Sequence, residues 1–466
     1  MHAVRIRCLH AAAEIASLRP AINALNLASA RPDPFSTFEF YENVLRRSGS
    51  LSGGTRSRAW FLAAFIEREL VGYLALEEVT DRVLWRPSKR LGFLGAHDAD
   101  RPHVVAKAEN IGVVTEMFYE YLWGHRREWD LLELQQQDSA STLYPPPKGV
   151  NLTGCWVRHG PNLDNGTIRV RWRTLQEYFE ALAPKFCEDF LRKTHKLLAS
   201  GASQLLTSSD PASTPALLDL YCSIEKRSGK SRTESTIGGT PKRLDYFRAL
   251  LDARQPMQAV IQVLVLDGVP VAGLISGAFA GPAHKGLYAL HIVFDQSLRS
   301  AGPGSAILMM GMHYAIAGRF AFFNLLCGFG HDKTRWLADM TATRCAQIYR
   351  VGSLISWRRL LGDAQRWLAA RAPLFVRRCV RAARNRDADD LRQDRAGPEL
   401  ERRAPPVTVA ERETFRTLIA EARRGRCEWL STAELMAAMP AVAGHLPEPK
   451  GTPRYAAISA RPADAA

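Results

Sequence analysis

Two rhythms of apolar and polar positions alternate along the first 350 residues: short, nearly continuous apolar runs bounded by turn residues, and longer stretches in which apolar residues return every three or four positions. The first reads as strands and the second as amphipathic helices. Near the start, "LRPAINALNLASARPDPFSTFEFYENVLRR" predicts two short helices around a Pro-rich turn, with Phe35, Phe38, Phe40 and Tyr41 as buried anchors. "RAWFLAAFIERELVGYLALEEVT" has two apolar runs separated by the polar "ERE", which predicts an antiparallel hairpin. After a loop around "GAHDADRPH", the segment "IGVVTEMFYEYLWGHRREWDLLELQQ" predicts a helix followed by the strand "DLLELQ". The first 150 residues thus form a small α+β unit that ends in the turn-rich "YPPPKG".

The second half repeats that order. "TLQEYFEALAPKFCEDFLRKTHKLLASG" predicts a helix with a Gly stop, followed by the strand "SQLLTS". "TPALLDLYCSIEKRSGK" and "KRLDYFRALLDA" each carry one apolar stripe and predict helices. "MQAVIQVLVLDGVPVAGLISGAFA" predicts a hairpin turning at its "DG", among the strongest short-range hairpin signals. The strand "GLYALHIVFD", the turn "RSAGPG", the helix "SAILMMGMHYAIAGR" and the strand "FAFFNLLCG" follow. This match in order predicts an internal structural duplication, although the residues themselves do not visibly repeat. The expected organisation is a first unit over 1–170, a second over 171–350 and an extension over 351–466.

Composition adds bounds. At 466 residues the chain exceeds a single ordinary core of about 100–200 residues. Its 46% hydrophobic and 23% charged residues describe a soluble globular protein. No apolar run approaches the roughly 18 residues of a membrane-spanning helix. The start "MHAVRIRCLHAAAEIASLRPAI" lacks a long apolar stretch and contains Glu14 and Arg19, so no secretory signal is expected. Eight scattered cysteines without a CxxC pair argue against a zinc site or a disulfide framework; reduced thiols in a cytoplasm and no metal are expected.

The net charge of +15 is concentrated late. "SLISWRRLLGDAQRWLAARAPLFVRRCVRAARNRD" is helical in period, and ten arginines lie between Arg350 and Arg386. Three readings stay open for 351–386: a solvated helix packing its Leu/Trp/Phe stripe on the core, an amphipathic helix on an anionic membrane surface, or a nucleic-acid contact. No nucleic-acid motif accompanies the charge. Beyond it, "VAERETFRTLIAEARRG" and "STAELMAAMPAVAG" predict a helix pair, and "PEPKGTPRYAAISARPADAA" a disordered end.

The turn "RSAGPG" fits Arg/Gln-x-x-Gly-x-Gly/Ala through Arg299, Gly302 and Gly304. Alone the pattern is weak, since a Gly-Pro-Gly turn can simply link a strand to a helix. Its setting adds weight: it follows a strand and opens a helix, whose free N–H groups converge where an anion can sit. No Lys-Ser/Thr follows Gly304, which excludes a Walker loop. Its position after antiparallel hairpins disfavours a dinucleotide fingerprint. An acyl-CoA cradle remains, with Arg299, Ala301, Gly302, Gly304 and Ser305 around the pyrophosphate and Ile292 and Val293 on the strand before it.

The order of hairpin, strand, "RSAGPG", helix and strand resembles the acetyl-CoA-binding core of the GNAT acyltransferases. More widely, "YFEALAPKFCEDFLRKTHKLLASG", "LLDLYCSIEKRSGKSRTES", "GVPVAGLISGAF", "LYALHIVFDQSLRSAGPGSAIL" and "FFNLLCGFGHDKTRW" resemble the CelD/BcsL-like acetyltransferases, relatives of the FemAB aminoacyl transferases. With "RPDPFSTFEF", which resembles the family's opening, the likeness covers most of residues 1–350. It implies an α+β fold of two tandem GNAT-like domains, with mixed, mostly antiparallel sheets flanked by helices, plus the basic helical extension. The first domain lacks an Arg/Gln-x-x-Gly-x-Gly turn and is expected to hold no cofactor. One departure stands out: Ser228-Gly229-Lys230 occupies a place where the family often has Ser-Trp-Lys.

Acyl transfer from a thioester to an amine needs a base, oxyanion donors and an acid for the thiolate. His291 on the strand is the candidate base, Asp295 a competing base or a turn residue, and Tyr314 a candidate acid or a core aromatic. Glu225 and Lys230 are candidate substrate contacts or a solvated helix face; Lys333 and Trp336 match a Lys-plus-aromatic segment of the family at the edge of its cleft. No Ser-His-Asp or Cys-His order suggests a covalent acyl-enzyme.

The resemblance implies an acyl-CoA-dependent acyltransferase, in the first place an N-acetyltransferase. Its acceptor would be an amino sugar, a polysaccharide precursor or a related small amine, and its place the cytoplasm or the periphery of the inner membrane. Two alternatives stand beside it: FemAB-like transfer from charged tRNA, and a non-catalytic accessory role in exopolysaccharide or cellulose biosynthesis.

Overall fold

The structure is a computed structural model describing residues 4–48, 57–83, 85–160, 164–229, 236–252, 255–283, 285–327, 333–371, 407–425, 427–431 and 433–434. The first half runs β1 (Val4–Leu9), α1 (Ala12–Ala16), α2 (Arg19–Ala28), α3 (Phe38–Ser48), β2 (Ser57–Ile66), β3 (Glu69–Val83), β4 (Arg86–Phe93), β5 (Val105–Ala106), α4 (Ile111–Gly124), β6 (Leu131–Gln137) and β7 (Cys155–Gly160). The second runs β8 (Asn165–Arg169), α5 (Leu175–Ala181), α6 (Pro184–Leu198), β9 (Ser203–Ser208), α7 (Thr214–Glu225), α8 (Pro241–Leu250), β10 (Met257–Leu266), β11 (Val269–Ala280), β12 (Lys285–Phe294), α9 (Pro303–Ala317) and β13 (Phe322–Cys327). Then follow β14 (Asp339–Thr341), β15 (Arg344–Arg350), α10 (Leu354–Arg371), α11 (Val409–Arg424) and β16 (Glu428–Ser431).

Two eight-stranded mixed sheets result. One has the order β1-β2-β3-β4-β6-β15-β7, with β5 on β3; the other has β14-β8-β13-β12-β11-β10-β9-β16. Strand by strand, β1-β2-β3-β4-β6 corresponds to β9-β10-β11-β12-β13. Both series are antiparallel until the last pair, β4 with β6 and β12 with β13, which is parallel. Helices lie between the first two strands of each series, and one helix, α4 or α9, makes the parallel crossover. The duplication expected from the order of elements is therefore present in the topology.

The two units are also laced together. β8 pairs with β13 before the chain has built the rest of the second sheet, whereas β15 returns after it to sit between β6 and β7 in the first. One continuous core holds Phe35, Tyr41 and Phe61 from the first unit with Tyr221, Phe247 and Tyr288 from the second.

Local chemistry explains the hairpins. Asp267 and Gly268 both have positive φ, 49° and 76°, the two-residue turn that matches strand twist and that Asp-Gly adopts readily. The predicted single helix over 175–200 is instead two: it breaks between α5 and α6 because Pro184 opens α6 and has no N–H to continue α5. The C-terminal helix α11 packs on α7, and β16 adds an edge strand to β9. The second helix expected there, in "STAELMAAMPAVAG", falls almost wholly outside the described residues, as does the expected disordered end. Among the described residues no helix is long and apolar enough to cross a membrane.

Candidate active site

Strand β12 departs from regularity at its centre. Ser276 pairs with Ala289 and the next residue back, Ile275, pairs with His291, so Leu290 is an extra, bulged residue. A bulge leaves backbone groups outside the ladder and re-aims side chains. Beside it, Ser276 Oγ is buried and has no hydrogen-bond partner among the described residues. On its other edge β12 pairs with β13 only at Gly286, Leu287 and Tyr288, after which the two parallel strands part. Among the described residues, the ladder between β12 and β13 ends at Tyr288.

At that end lies the "RSAGPG" turn. Residues Gln296–Ala301 form a 3-10 turn, and Gly302, in the left-handed region at φ 70°, bends the chain into α9. Pro303 has no N–H, Ser305 and Ala306 donate to Gly302 O, and the Gly304 N–H has no acceptor among the described residues. Arg299 is exposed and Ser305 half-buried at this helix start. Gly304 has a packing role of its own, since an added Cβ would come within 2.8 Å of Phe294. Gly229 lies at the turn as well, where a Cβ would approach Gln296 Oε1 to 3.2 Å.

Asp295 is fixed in place. Its carboxylate takes a 2.7 Å hydrogen bond from Arg227 Nε and caps the turn by accepting from the Ser297 N–H and hydroxyl. Arg227 also donates to Ser223 O and Pro270 O, and its guanidinium lies 5.8 Å from the Phe415 ring centre. With both side chains more than nine-tenths buried, Asp295 anchors the turn.

His291 has company that the sequence reading had not assembled. Its Nδ1 lies 2.6 Å from Tyr221 Oη and 3.7 Å from Glu225 Oε1. Glu225 in turn accepts the Ile237 and Gly238 N–H groups at 2.9 and 2.8 Å. Glu225 is 2% exposed and faces His291 from the interior. Burial, and the charge of Glu225 after it, pushes the Tyr221 hydroxyl well above the usual phenol range, so it stays protonated.

The other expected residues divide. Tyr314 packs against Phe320 on the α9 face of the second sheet, whereas His291 meets Tyr221 of α7 and Phe247 of α8 on the opposite face. Tyr314 is therefore not brought to His291. Trp336 is a correction: it is 6% exposed among Phe186 and Phe190 of α6, and its carbonyl accepts from Tyr178, so it is core and not cleft wall. Lys333 Nζ donates to the carbonyls of Leu325 and Leu326 at the end of β13, and burial lowers its pKa. Ile292 and Val293 line the strand before the turn, Val293 buried. Lys230 lies outside the described residues.

The space where β12 and β13 part is crossed by a residue of the other unit. Asp100, from the loop between β4 and α4, accepts from Asn165 at 2.6 Å and Asn324 at 2.8 Å, pairs with Arg101, and receives the Cys327 thiol at 3.8 Å. That loop occupies, in the first unit, the place that the "RSAGPG" turn has in the second. Two cavities flank this crossing, of about 180 and 230 Å³, and both are lined by Tyr288 and Phe322. The smaller is also lined by Arg31, Asp33, Asp100 and Arg101. Tyr221 was legible, standing one helical turn before Glu225 on the same face; Asp100 carried no local signal.

Comparison with known proteins places the class. Residues 184–334 match the acetyltransferase (GNAT) domain. The second unit carries a GNAT acetyltransferase domain, and the first unit repeats its strand order. No curated protein matches the chain. Among solved structures, FemX is 9% identical, with 73% of this chain and 96% of that one covered at a TM-score of 0.48. A tandem GNAT protein from the clavulanic acid biosynthesis pathway is 12% identical (75% and 99% covered, TM-score 0.41). L-PGS from Bacillus licheniformis is 13% identical (71% and 97% covered, TM-score 0.40). These are loose likenesses of chain path.

Proposed function

We propose that the protein transfers an acyl group, in the first place acetyl, from an acyl-CoA to the amine of a small acceptor such as an amino sugar or polysaccharide precursor. The observation that carries this reading is the parting of β12 from β13 after Tyr288, which puts the bulge beside His291 and the turn at Arg299–Ser305 on one strand. A pantetheine arm laid along β12 would bring its thioester to the bulge with its pyrophosphate on the turn. A backbone N–H turned toward the carbonyl oxygen would stabilise the negative charge that develops there; one such donor is worth roughly 10²–10³ in rate.

The attacking amine nitrogen forms the new C–N bond, the C–S bond breaks, and the amine proton passes to His291. For that, the imidazole proton would sit on Nδ1, toward Tyr221 Oη at 2.6 Å with Glu225 Oε1 3.7 Å away, and Nε2 would be the nitrogen that takes the amine proton. The Tyr288 and Phe322 cavities lie on the His291 side of the sheet and offer the acceptor aromatic walls with charged groups at one end.

The test is thiol release. The full chain is incubated with acetyl-CoA or longer acyl-CoAs and a panel of amino sugars, nucleotide-linked amino sugars and simple amines, and free CoA is followed with a thiol reagent. Release that needs an acceptor, and falls by roughly 10²–10⁴ in His291→Ala, supports the reading. Transfer from charged tRNA with none from any acyl-CoA would replace it.

A further inference from the structure

Helix α10 leaves β15 and is fastened to the first sheet along one side. Trp156 Nε1 of β7 donates to Ser356 Oγ at 2.8 Å, and Arg158 stands 3.5 Å from Asp363. Another side carries Trp357, Leu360, Leu361 and Trp367, exposed by 57, 45, 61 and 57%. At 3.6 residues per turn these four positions fall within one stripe about 120° wide. A stripe of two tryptophans and two leucines facing outward is what a surface helix in water ordinarily avoids.

The charge around the stripe narrows what covers it. Ten arginines lie between Arg350 and Arg386 against a single acid, Asp363, which already faces Arg158. A second copy of the chain would bring like charge to the same contact. A nucleic acid would satisfy the charge and leave the Trp/Leu stripe in water. An anionic bilayer takes both: apolar side chains enter the headgroup–acyl boundary, tryptophan rings prefer that depth, and guanidinium groups reach lipid phosphates.

We propose that α10 seats the protein on an anionic lipid surface. The site of acyl transfer then works beside a membrane.

The experiment uses the full chain and two sets of vesicles, phosphatidylcholine alone and phosphatidylcholine mixed with phosphatidylglycerol, in a flotation assay with tryptophan emission as a second readout. The expected result is binding to the mixed vesicles only, weakened by salt, with a blue shift in emission. In Trp357→Ser/Leu361→Ser, binding falls by about tenfold or more, since two apolar anchors no longer leave water. The melting temperature of that variant is expected to stay unchanged. Absence of binding to the mixed vesicles overturns the proposal, as does binding indifferent to the two substitutions. A dimer in light scattering that the same substitutions abolish would assign the stripe to a second copy. Retention of RNA or DNA without vesicle binding would assign the charge to nucleic acid.

Discussion

Asp100 and Asn324 stand 224 positions apart in the chain, on different units, and meet through a 2.8 Å hydrogen bond inside the second sheet. The carboxylate joins the loop that follows β4 to the strand that forms one wall of the proposed thioester site. Unit one is thereby part of the working surface of unit two.

Removing that carboxylate tests the joint. Asp100→Ala leaves the Asn165 and Asn324 amides buried without their acceptor, at about 1–3 kcal/mol for each unsatisfied group. Since β8 and β15 are exchanged between the sheets, calorimetry should show both units melting in one transition in the native chain and in the variant, with the variant's lower. Two separate transitions in the native chain would contradict the lacing of the units.

The anchor under the turn makes a kinetic prediction. Arg227→Ala leaves Asp295 buried and unpaired, a change that costs about 3–5 kcal/mol in comparable sites. With the turn loosened, KM for the acyl-CoA should rise while kcat changes less. Asp295→Asn should behave the same way; a large fall in kcat with KM unchanged would mark Asp295 as a base.

The histidine and its two partners should separate by role. Tyr221→Phe and Glu225→Gln remove the hydroxyl 2.6 Å from Nδ1 and the carboxylate charge 3.7 Å from it. Both should lower kcat and alter its pH profile, and both should fall by less than His291→Ala. Equal activity in Tyr221→Phe and the native chain, with an identical pH profile, would mean the contact is packing alone.

How much of this was legible follows from what each feature depends on. The hairpins, the helix stripes and the "RSAGPG" turn depend on neighbours in sequence, and the pattern carried them. β1 was legible too: "VRIRCL" alternates apolar and polar positions, the pattern of a strand with one face covered. β8 and β15 were not, because their partners come from the other unit. Likewise Trp336 and Lys333 stand side by side on one polar-looking segment, and only the packing of α6 decides that Trp336 turns inward.

Cys327 tests the absence of an acyl-enzyme. Burial, with Asp100 beside it, pushes its thiol up to about 12, so it carries almost no thiolate at neutral pH. Alkylation of Cys327 in the native protein should be slow at neutral pH and quicken as pH rises, and Cys327→Ser should keep acyl transfer. Rapid labelling near pH 7 together with an inactive Cys327→Ser would point to a covalent route.

The most direct test of the central claim is an isothermal titration of the full chain with acetyl-CoA. One equivalent should bind per chain, and Arg299→Glu should weaken binding by about tenfold or more, as expected when a charge facing a phosphate is reversed. No binding, two equivalents, or an affinity indifferent to both Arg299→Glu and Ser305→Glu would contradict an acyl-CoA site at this turn.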